Sequence, residues 1–172
     1  LIPAEAIVEY LYSKNMLLPE PEILKHDVIY ARVSTRKQEK RGDLERQITN
    51  IKLFAIEQNV KNLIVTSDVA SGLNDNRKGL NSILNLIMDG KVDRLFIMYK
   101  DRLTRFGFNY IKRICDKYGA KIIIVSSEET TKSQSEELAE DIIAIIHSFS
   151  GRLYGLRHKI NKELEKAHDE NG

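Results

Sequence analysis

Arg32 and Ser34 stand two residues apart at the end of the β-prone run Val28-Ile29-Tyr30-Ala31-Arg32-Val33. While the backbone stays extended, side chains at i and i+2 share one side of a sheet, so a hydroxyl is set beside a guanidinium at the carboxyl end of a strand. By residue type alone, the pair equally fits an Arg salt bridge followed by an ordinary loop. A second polar group, Asp68, Ser71-Gly72, Asp75 and Arg77, follows another short apolar run. There Gly72 permits a tight or left-handed backbone and Asp68 can orient an arginine through paired hydrogen bonds, although a plain surface loop accommodates the same residues. The third group, Lys100-Asp101-Arg102-Leu103-Thr104-Arg105, is denser. Its two outer arginines share a face if a helical turn begins at residue 102. Gathered at one edge, Arg32, Arg77, Arg102 and Arg105 repel one another unless an anion lies between them, and the guanidinium fork matches phosphate oxygens. The residue types point to phosphate chemistry.

The elements that must position these loops follow from hydrophobic periodicity. Strands are expected at 28–33, 62–67, 92–99 and 121–126. Helices are expected at 44–58, 79–88 and 109–118, where Leu44, Ile48, Ile51 and Ala55, then Leu80, Ile83, Leu84 and Ile87, recur at helical spacing. Residues 34–43 read as a polar connection. Strands alternating with helices of this length predict a parallel sheet covered on both faces, with right-handed crossovers sending the loops after each strand to one edge. The expected fold is α/β: a three-layer domain with a mostly parallel four- to five-stranded sheet and a long C-terminal helix.

That last helix is the longest feature. Leu138, Ile142, Ile145, Phe149, Leu153, Leu156, Ile160 and Leu164 recur in steps of three and four, an apolar stripe of roughly seven turns. Ser133 or Ser135 is placed to cap it, with Glu136 or Glu137 in the first turn, where the helix dipole favours negative charge. A helix of about 30 residues is about 45 Å long, more than a small sheet covers. Ile142, Ile145, Phe149, Leu153 and Leu156 are therefore candidates for contact with another chain, while an ordinary core helix accounts for part of Leu138 to Phe149. Arg152, Arg157, Lys159 and Lys162 lie beside the stripe and suit phosphate contacts. Gly151 and Gly155 lower helix propensity by about 1 kcal/mol each, yet permit close helix approach. At the other end, residues 1–26 stand apart: a short helix over 4–11 precedes Pro19 and Pro21, and four Glu against two Lys do not suit a DNA-reading arm.

Composition sets outer bounds. With 172 residues, 42% hydrophobic and 30% charged, the chain suits one full-sized domain with modest extensions and no disordered character. A net charge of +2 is too balanced to identify nucleic acid as a partner. A single Cys115 leaves no internal disulfide, and four scattered His show no zinc spacing. No run approaches a membrane span and no signal peptide is visible, so a cytoplasmic setting without membrane is expected. A Ser-His-Asp hydrolase would have to recruit His26 or His147 through the fold, and a two-metal nuclease would need Asp68, Asp75 and Asp101 as ligands. An arginine-rich site neutralises phosphate without metal, and no cofactor is expected.

Tyr30 to Ser34, Gln38 and Gln47, Asp68 with Ser71-Gly72 and Arg77, and Asp101-Arg102-Leu103-Thr104-Arg105 occur in that order. Together they resemble the signature of the serine recombinase catalytic domain, the resolvase and invertase superfamily, over about residues 27–158. The strings Glu136-Glu137-Leu138-Ala139-Glu140-Asp141 and Phe149-Ser150-Gly151-Arg152-Leu153-Tyr154-Gly155 resemble the small serine transposases that carry a MerR-like DNA-binding domain ahead of the catalytic one.

The resemblance implies DNA cleavage and rejoining without metal or other cofactor. Ser34 matches the nucleophile, which forms a covalent 5′-phosphoserine link as a 3′-hydroxyl leaves. Arg32, Arg102 and Arg105 match the holders of the scissile phosphate and Asp68 the residue that positions them. Arg77 and Gln38 match further phosphate contacts, and Tyr30, Gln47 and Asp101 of the same signature are grouped with them. The implied partners are double-stranded DNA at transposon or recombination sites and further copies of the chain, as a homodimer through the long helix and a synaptic homotetramer, in a prokaryotic, nucleoid-associated setting. Residues 1–26 are then expected to be a linker or the remnant of a truncated DNA-binding domain, 27–132 the catalytic core, and 133–168 the helix for dimerisation and DNA contact. The alternative is a catalytically weak, DNA-associated dimerisation module of the same fold. Without DNA the arginines are expected to stand apart, since like charges separate until a phosphate arrives.

Overall fold

A computed structural model describes residues 3–14, 24–126 and 132–169. Along the chain run α1 (Ala4–Ser13), β1 (His26–Val33), α2 (Arg36–Lys40), α3 (Asp43–Glu57), β2 (Ile64–Val69) and α4 (Lys78–Met88). They are followed by β3 (Val92–Ile97), α5 (Lys100–Leu103), α6 (Phe108–Lys117), β4 (Lys121–Ile124) and α7 (Lys132–Asp169). The strands form one four-stranded sheet in the order β2-β1-β3-β4, and every pairing is parallel. The α/β architecture expected from periodicity is therefore the one observed.

Alternation along the central strands builds the layers. Val28 and Tyr30 of β1, with Leu95 and Ile97 of β3, pack against Leu80, Ile83 and Ile87 of α4 and Cys115 of α6. Ile29, Ala31 and Val33, with Phe96, face the other way onto Leu44, Ile51 and Ala55 of α3. Because both faces are covered, β1 is a continuous apolar run apart from its ends and Arg32. At the amino end of β1, Asp27 is buried and receives Arg94 Nε at 2.8 Å, Arg94 Nη2 at 2.6 Å and the Lys61 N–H at 2.7 Å. The chain leaves β1 for β2 through α3 on one face and crosses to β3 through α4 on the other. Strand order thus reverses beside the carboxyl end of β1, the crevice where open α/β sheets bind ligands. Ser34 is the first residue beyond that end.

Several local expectations change. Residues 34–43 are not wholly irregular, because Thr35 and Gln38 form a reciprocal capping box that starts α2. The helical turn after β3 begins at Lys100, so Arg105 lies beyond it. β2 begins at Ile64 rather than at residue 62, because Asn62 has φ of 48°, left-handed backbone that no strand continues through. Gly72 has no positive φ; its value is space, since a Cβ there would stand 3.0 Å from Arg32 Nη2 and 3.2 Å from Arg105 Cβ.

α7 runs for 38 residues. It starts at Lys132, so positions 133 and 135 are inside it rather than at its cap, and Glu136 and Glu137 fall in its second turn. Leu138, Ile142, Ile145, Phe149, Leu153 and Leu156 are between 40% and 64% exposed, which overturns a core-helix role for this stripe within one chain. Positions 19 and 21 lie outside the described residues, as does the side chain at 164. Among the described residues, no helix is long and apolar enough to cross a membrane.

Candidate active site

Arg32 is the centre of the site because β1 carries it into the sheet's carboxyl edge with no exposed surface. Its Nε donates to the Arg102 carbonyl at 3.3 Å, Nη1 to the Ala70 carbonyl at 2.8 Å and to Ser34 Oγ at 2.9 Å, and Nη2 to the Asp101 carbonyl at 3.0 Å. One guanidinium therefore fastens the loops after β2 and β3 to the end of β1. Burial, reinforced by the nearby charge of Arg102, pushes Arg32 down to about 10, opposed by Glu137 and Asp101; it stays charged at neutral pH.

Behind Arg32 stands a supporting chain. Asp68, opposite Arg32 in the β1–β2 register, accepts the Tyr30 hydroxyl at 2.9 Å and the N–H groups of Gly79 and Leu80 at 3.0 Å each. Tyr30 in turn accepts Arg77 Nη1 at 2.8 Å, so Asp68 reaches an arginine through a phenol rather than by the direct paired bonds expected. Arg77 also donates to the carbonyls of Asn74 and Leu103, at 2.6 and 2.7 Å. Gly79 is demanded by this approach, since a Cβ there would lie 2.7 Å from Asp68 Oδ2. Burial, aided by Asp68 against the opposing Arg77, raises the Tyr30 pKa well above its ordinary value and keeps the phenol protonated. Gln47 uses its amide to bond both the N–H and the carbonyl of Arg32, at 3.0 and 3.2 Å, prolonging the sheet's hydrogen bonding where no strand continues.

Toward the open side, the arginines meet carboxylates. Arg102 Nη1 lies 2.8 Å from Glu137 Oε2 and 3.1 Å from Oε1, with Nη2 3.1 Å from Oε1. Gln38 Nε2 donates to the same Oε1 at 2.7 Å while its Oε1 accepts the Ser34 N–H at 2.8 Å. Ser34 Oγ donates to Glu137 Oε2 at 2.9 Å. Arg105 Nε reaches Asp141 Oδ2 at 3.0 Å, its Nη1 pairs with Asp101, and Ser71 Oγ donates to Asp141 Oδ1 at 2.6 Å. Burial opposes ionisation of Glu137, but the bonds and charge of Arg102, with the bonds from Gln38 and Ser34, hold its carboxyl below the usual glutamate value. The arginines are thus gathered rather than apart, because internal carboxylates supply the anion that their mutual repulsion demands.

The fold brings together Ser34, Arg32, Arg102, Arg105, Gln38 and Asp101, with Tyr30, Asp68, Arg77 and Gln47 beneath them. Arg152 and Arg157 stay exposed along α7, outside the cluster. Glu137 and Asp141 escaped the sequence reading of the site; they are two acids one helical turn apart, but Leu138 and Ile145 share that side of the helix, so spacing alone does not single them out. A cleft of about 240 Å³, lined by Arg41, Arg46, Gln47, Tyr99 and Arg102 among others, opens beside Glu137. His26 sits at the far end of β1 on the Asn62 carbonyl, and His147 is exposed on α7, so neither pairs with Ser34. Among the described residues, no three His, Cys, Asp or Glu side chains gather as a metal site.

The family of the resolvase N-terminal domain matches residues 28–171, most of the chain. The chain belongs to the resolvase family. A resolvase homologue of Acanthamoeba polyphaga mimivirus is 41% identical over 139 residues, covering 80% of this chain and 69% of its own length. The crystal structure of the C-terminal catalytic domain of ISC1926 TnpA, an IS607-like serine recombinase, is 48% identical with a TM-score of 0.69, over 76% of this chain and 87% of that one. A serine recombinase from Sulfolobus solfataricus is 37% identical with a TM-score of 0.64, over 77% of this chain and 88% of that one. This resolvase-family chain is therefore a serine recombinase catalytic domain, as the motif resemblance implied.

Proposed function

We propose that this domain cuts and rejoins DNA, as a transposase or recombinase, through a covalent 5′-phosphoserine on Ser34 and without metal. The observation that carries this reading is Ser34 Oγ at 2.9 Å from Arg32 Nη1, within a cluster where Arg32, Arg102 and Arg105 turn toward one point although none of their side chains is more than 7% exposed. Serine is a weak nucleophile, and attack on a phosphodiester concentrates charge on the nonbridging oxygens. Guanidinium groups already fixed in place oppose that charge as it develops; losing one such donor in other enzymes costs about 3 to 4 kcal/mol. In the step itself, Ser34 Oγ bonds to phosphorus and gives up its proton, the bond from phosphorus to the 3′-oxygen breaks, and that oxygen takes a proton to leave as hydroxyl. The covalent link stores the energy of the broken bond, so rejoining is the reversal of the same step with a new 3′-hydroxyl.

Asp68, Tyr30, Arg77 and Gln47 act in this reading by holding Arg32 and the loops in place, and Gln38 by fixing the Ser34 backbone. The exposed stripe of α7 is the surface for a second copy, and Arg152 and Arg157 beside it face DNA phosphates. Residues 1–26 are read as the link to an upstream DNA-binding domain, in line with the C-terminal position of the catalytic domain in ISC1926 TnpA. The test is a covalent adduct on a denaturing gel, formed by the protein on the DNA ends of its own element. Wild type is expected to give the adduct with or without EDTA, and Ser34→Ala to abolish it while DNA binding persists. An adduct of normal yield from Ser34→Ala sinks the nucleophile assignment, and a strict magnesium requirement sinks the metal-free mechanism.

A further inference from the structure

Glu137 and Asp141 are the buried residues of α7 within 135–162; every other position there is exposed. They enter the arginine cluster rather than apolar core. Glu137 takes both prongs of Arg102, the amide of Gln38 and the hydroxyl of Ser34, while Asp141 takes Arg105 and Ser71. Among these donors are the arginines that the reaction proposed above needs for the phosphate, and Ser34 is its nucleophile.

We propose that Glu137 and Asp141 are an internal substitute for the DNA phosphate, so that the first turns of α7 hold the site closed and must withdraw before Ser34 attacks. The inference rests on reading Ser34 and the arginines as the cleavage site, and three features carry it. First, the substitute fits imperfectly: Arg105 Nη2 is buried without a hydrogen-bond acceptor among the described residues, 3.7 Å from Glu137 Oε2. A planar carboxylate leaves that donor out of reach, whereas the tetrahedral oxygens of a phosphate extend beyond the plane. Second, Glu137 is poorly suited to take the Ser34 proton, because its oxygens are already committed to Arg102 and Gln38. Glu137 and a phosphate together would place two anions on one set of donors. Third, the attachment is polar, ion pairs to Arg102 and Arg105 with hydrogen bonds from Ser34, Gln38 and Ser71. Leu138, Ile142 and Ile145 are 40%, 47% and 41% exposed, so withdrawing the helix sacrifices little apolar burial. Four buried or part-buried arginines, Arg32, Arg77, Arg102 and Arg105, now face Asp68, Asp101, Glu137 and Asp141; removing the last two leaves a net positive site that a polyanion fills. Since plug and apolar stripe share one continuous helix, rearranging the stripe against a second copy moves the plug as well.

The test compares wild type with Glu137→Gln, which keeps shape and removes charge, and with Asp141→Asn. Inorganic phosphate is titrated while the arginine Nε–Hε resonances are followed by NMR, and the initial rate of adduct formation on the element's DNA is measured in parallel. Glu137→Gln is expected to bind phosphate at least about tenfold more tightly, because the competent open state is no longer taxed by the internal anion. Its adduct rate is expected to rise by a similar factor. Asp141→Asn is expected to show a smaller gain in both and decides the matter if circular dichroism shows Glu137→Gln to be misfolded. Phosphate affinity equal to wild type in the folded variants overturns the plug. A slower adduct from Glu137→Gln also overturns it, making Glu137 the acceptor of the Ser34 proton. If phosphate binding tightens but no variant forms an adduct, the plug stands and the cleavage reading fails.

Discussion

Arg102 shows why an arginine rather than a lysine stands at this edge of the sheet. Its fork meets both oxygens of Glu137, its Nε donates to the Tyr99 hydroxyl at 2.6 Å, and its guanidinium lies 4.9 Å from the Tyr99 ring centroid. A lysine keeps the charge and loses every one of those directional contacts. Arg102→Lys is therefore expected to lower the adduct rate on the order of a hundredfold, the usual scale for one displaced transition-state donor. Equilibrium binding to duplex DNA changes little. Equal losses of cleavage and binding across a salt series would make Arg102 a mere electrostatic anchor. At this scale, the arginines and Ser34 are legible in the sequence because they sit just where strands give way to loops, as the motif order shows. Glu137 and Asp141 are not, because an acid near a helix start is already explained by the dipole, and nothing local says that a loop more than thirty residues earlier in the chain supplies arginines to meet it.

At the scale of elements, the long amphipathic helices and apolar strands are legible because their pattern repeats several times; α2 and α5 are too short to show a period. β1 is held at its amino end by a contact that periodicity does not reveal, the buried pair of Asp27 and Arg94. Burial opposes the Asp27 charge, but the hydrogen bonds from Arg94 and the Lys61 N–H, with the Arg94 charge, outweigh it and hold the carboxyl below its ordinary 3.8. A carboxylate with a lowered folded value adds stability that is present above its unfolded value and is lost as pH falls through the folded one. Thermal melts are thus expected to show stability falling as pH drops through and below 3.8. Asp27→Asn is expected to cost about 2 kcal/mol at neutral pH, the scale of hydrogen bonds to a charged group, and to narrow the gap between melts at neutral and acid pH. An unchanged gap in Asp27→Asn would assign the acid sensitivity elsewhere, with Glu137 on α7 the next carboxylate to examine.

For the whole molecule, the unsolved packing problem is α7. Phe149 and Leu153 are 63% and 64% exposed, Ile142, Ile145 and Leu156 are little better covered, and a Cβ at Gly151 or Gly155 would meet nothing within 4 Å. A continuous apolar face of this length is rare on a monomer. Burying each large side chain is worth about 1.5 to 3 kcal/mol, and a two-fold axis uses every contact twice, so a few of these residues would suffice to hold two copies together. The chain is expected to be dimeric at tens of micromolar and Phe149→Asp to be monomeric, with its adduct formation suppressed although Phe149 lies three turns from Glu137. Its sheet is expected to remain folded, since the apolar faces of α3, α4 and α6 are already satisfied within one chain. Sedimentation equilibrium beside circular dichroism separates the outcomes. A wild-type chain that stays monomeric, or a Phe149→Asp variant that associates as strongly as wild type, would remove the second copy from this face and leave the stripe to a different partner.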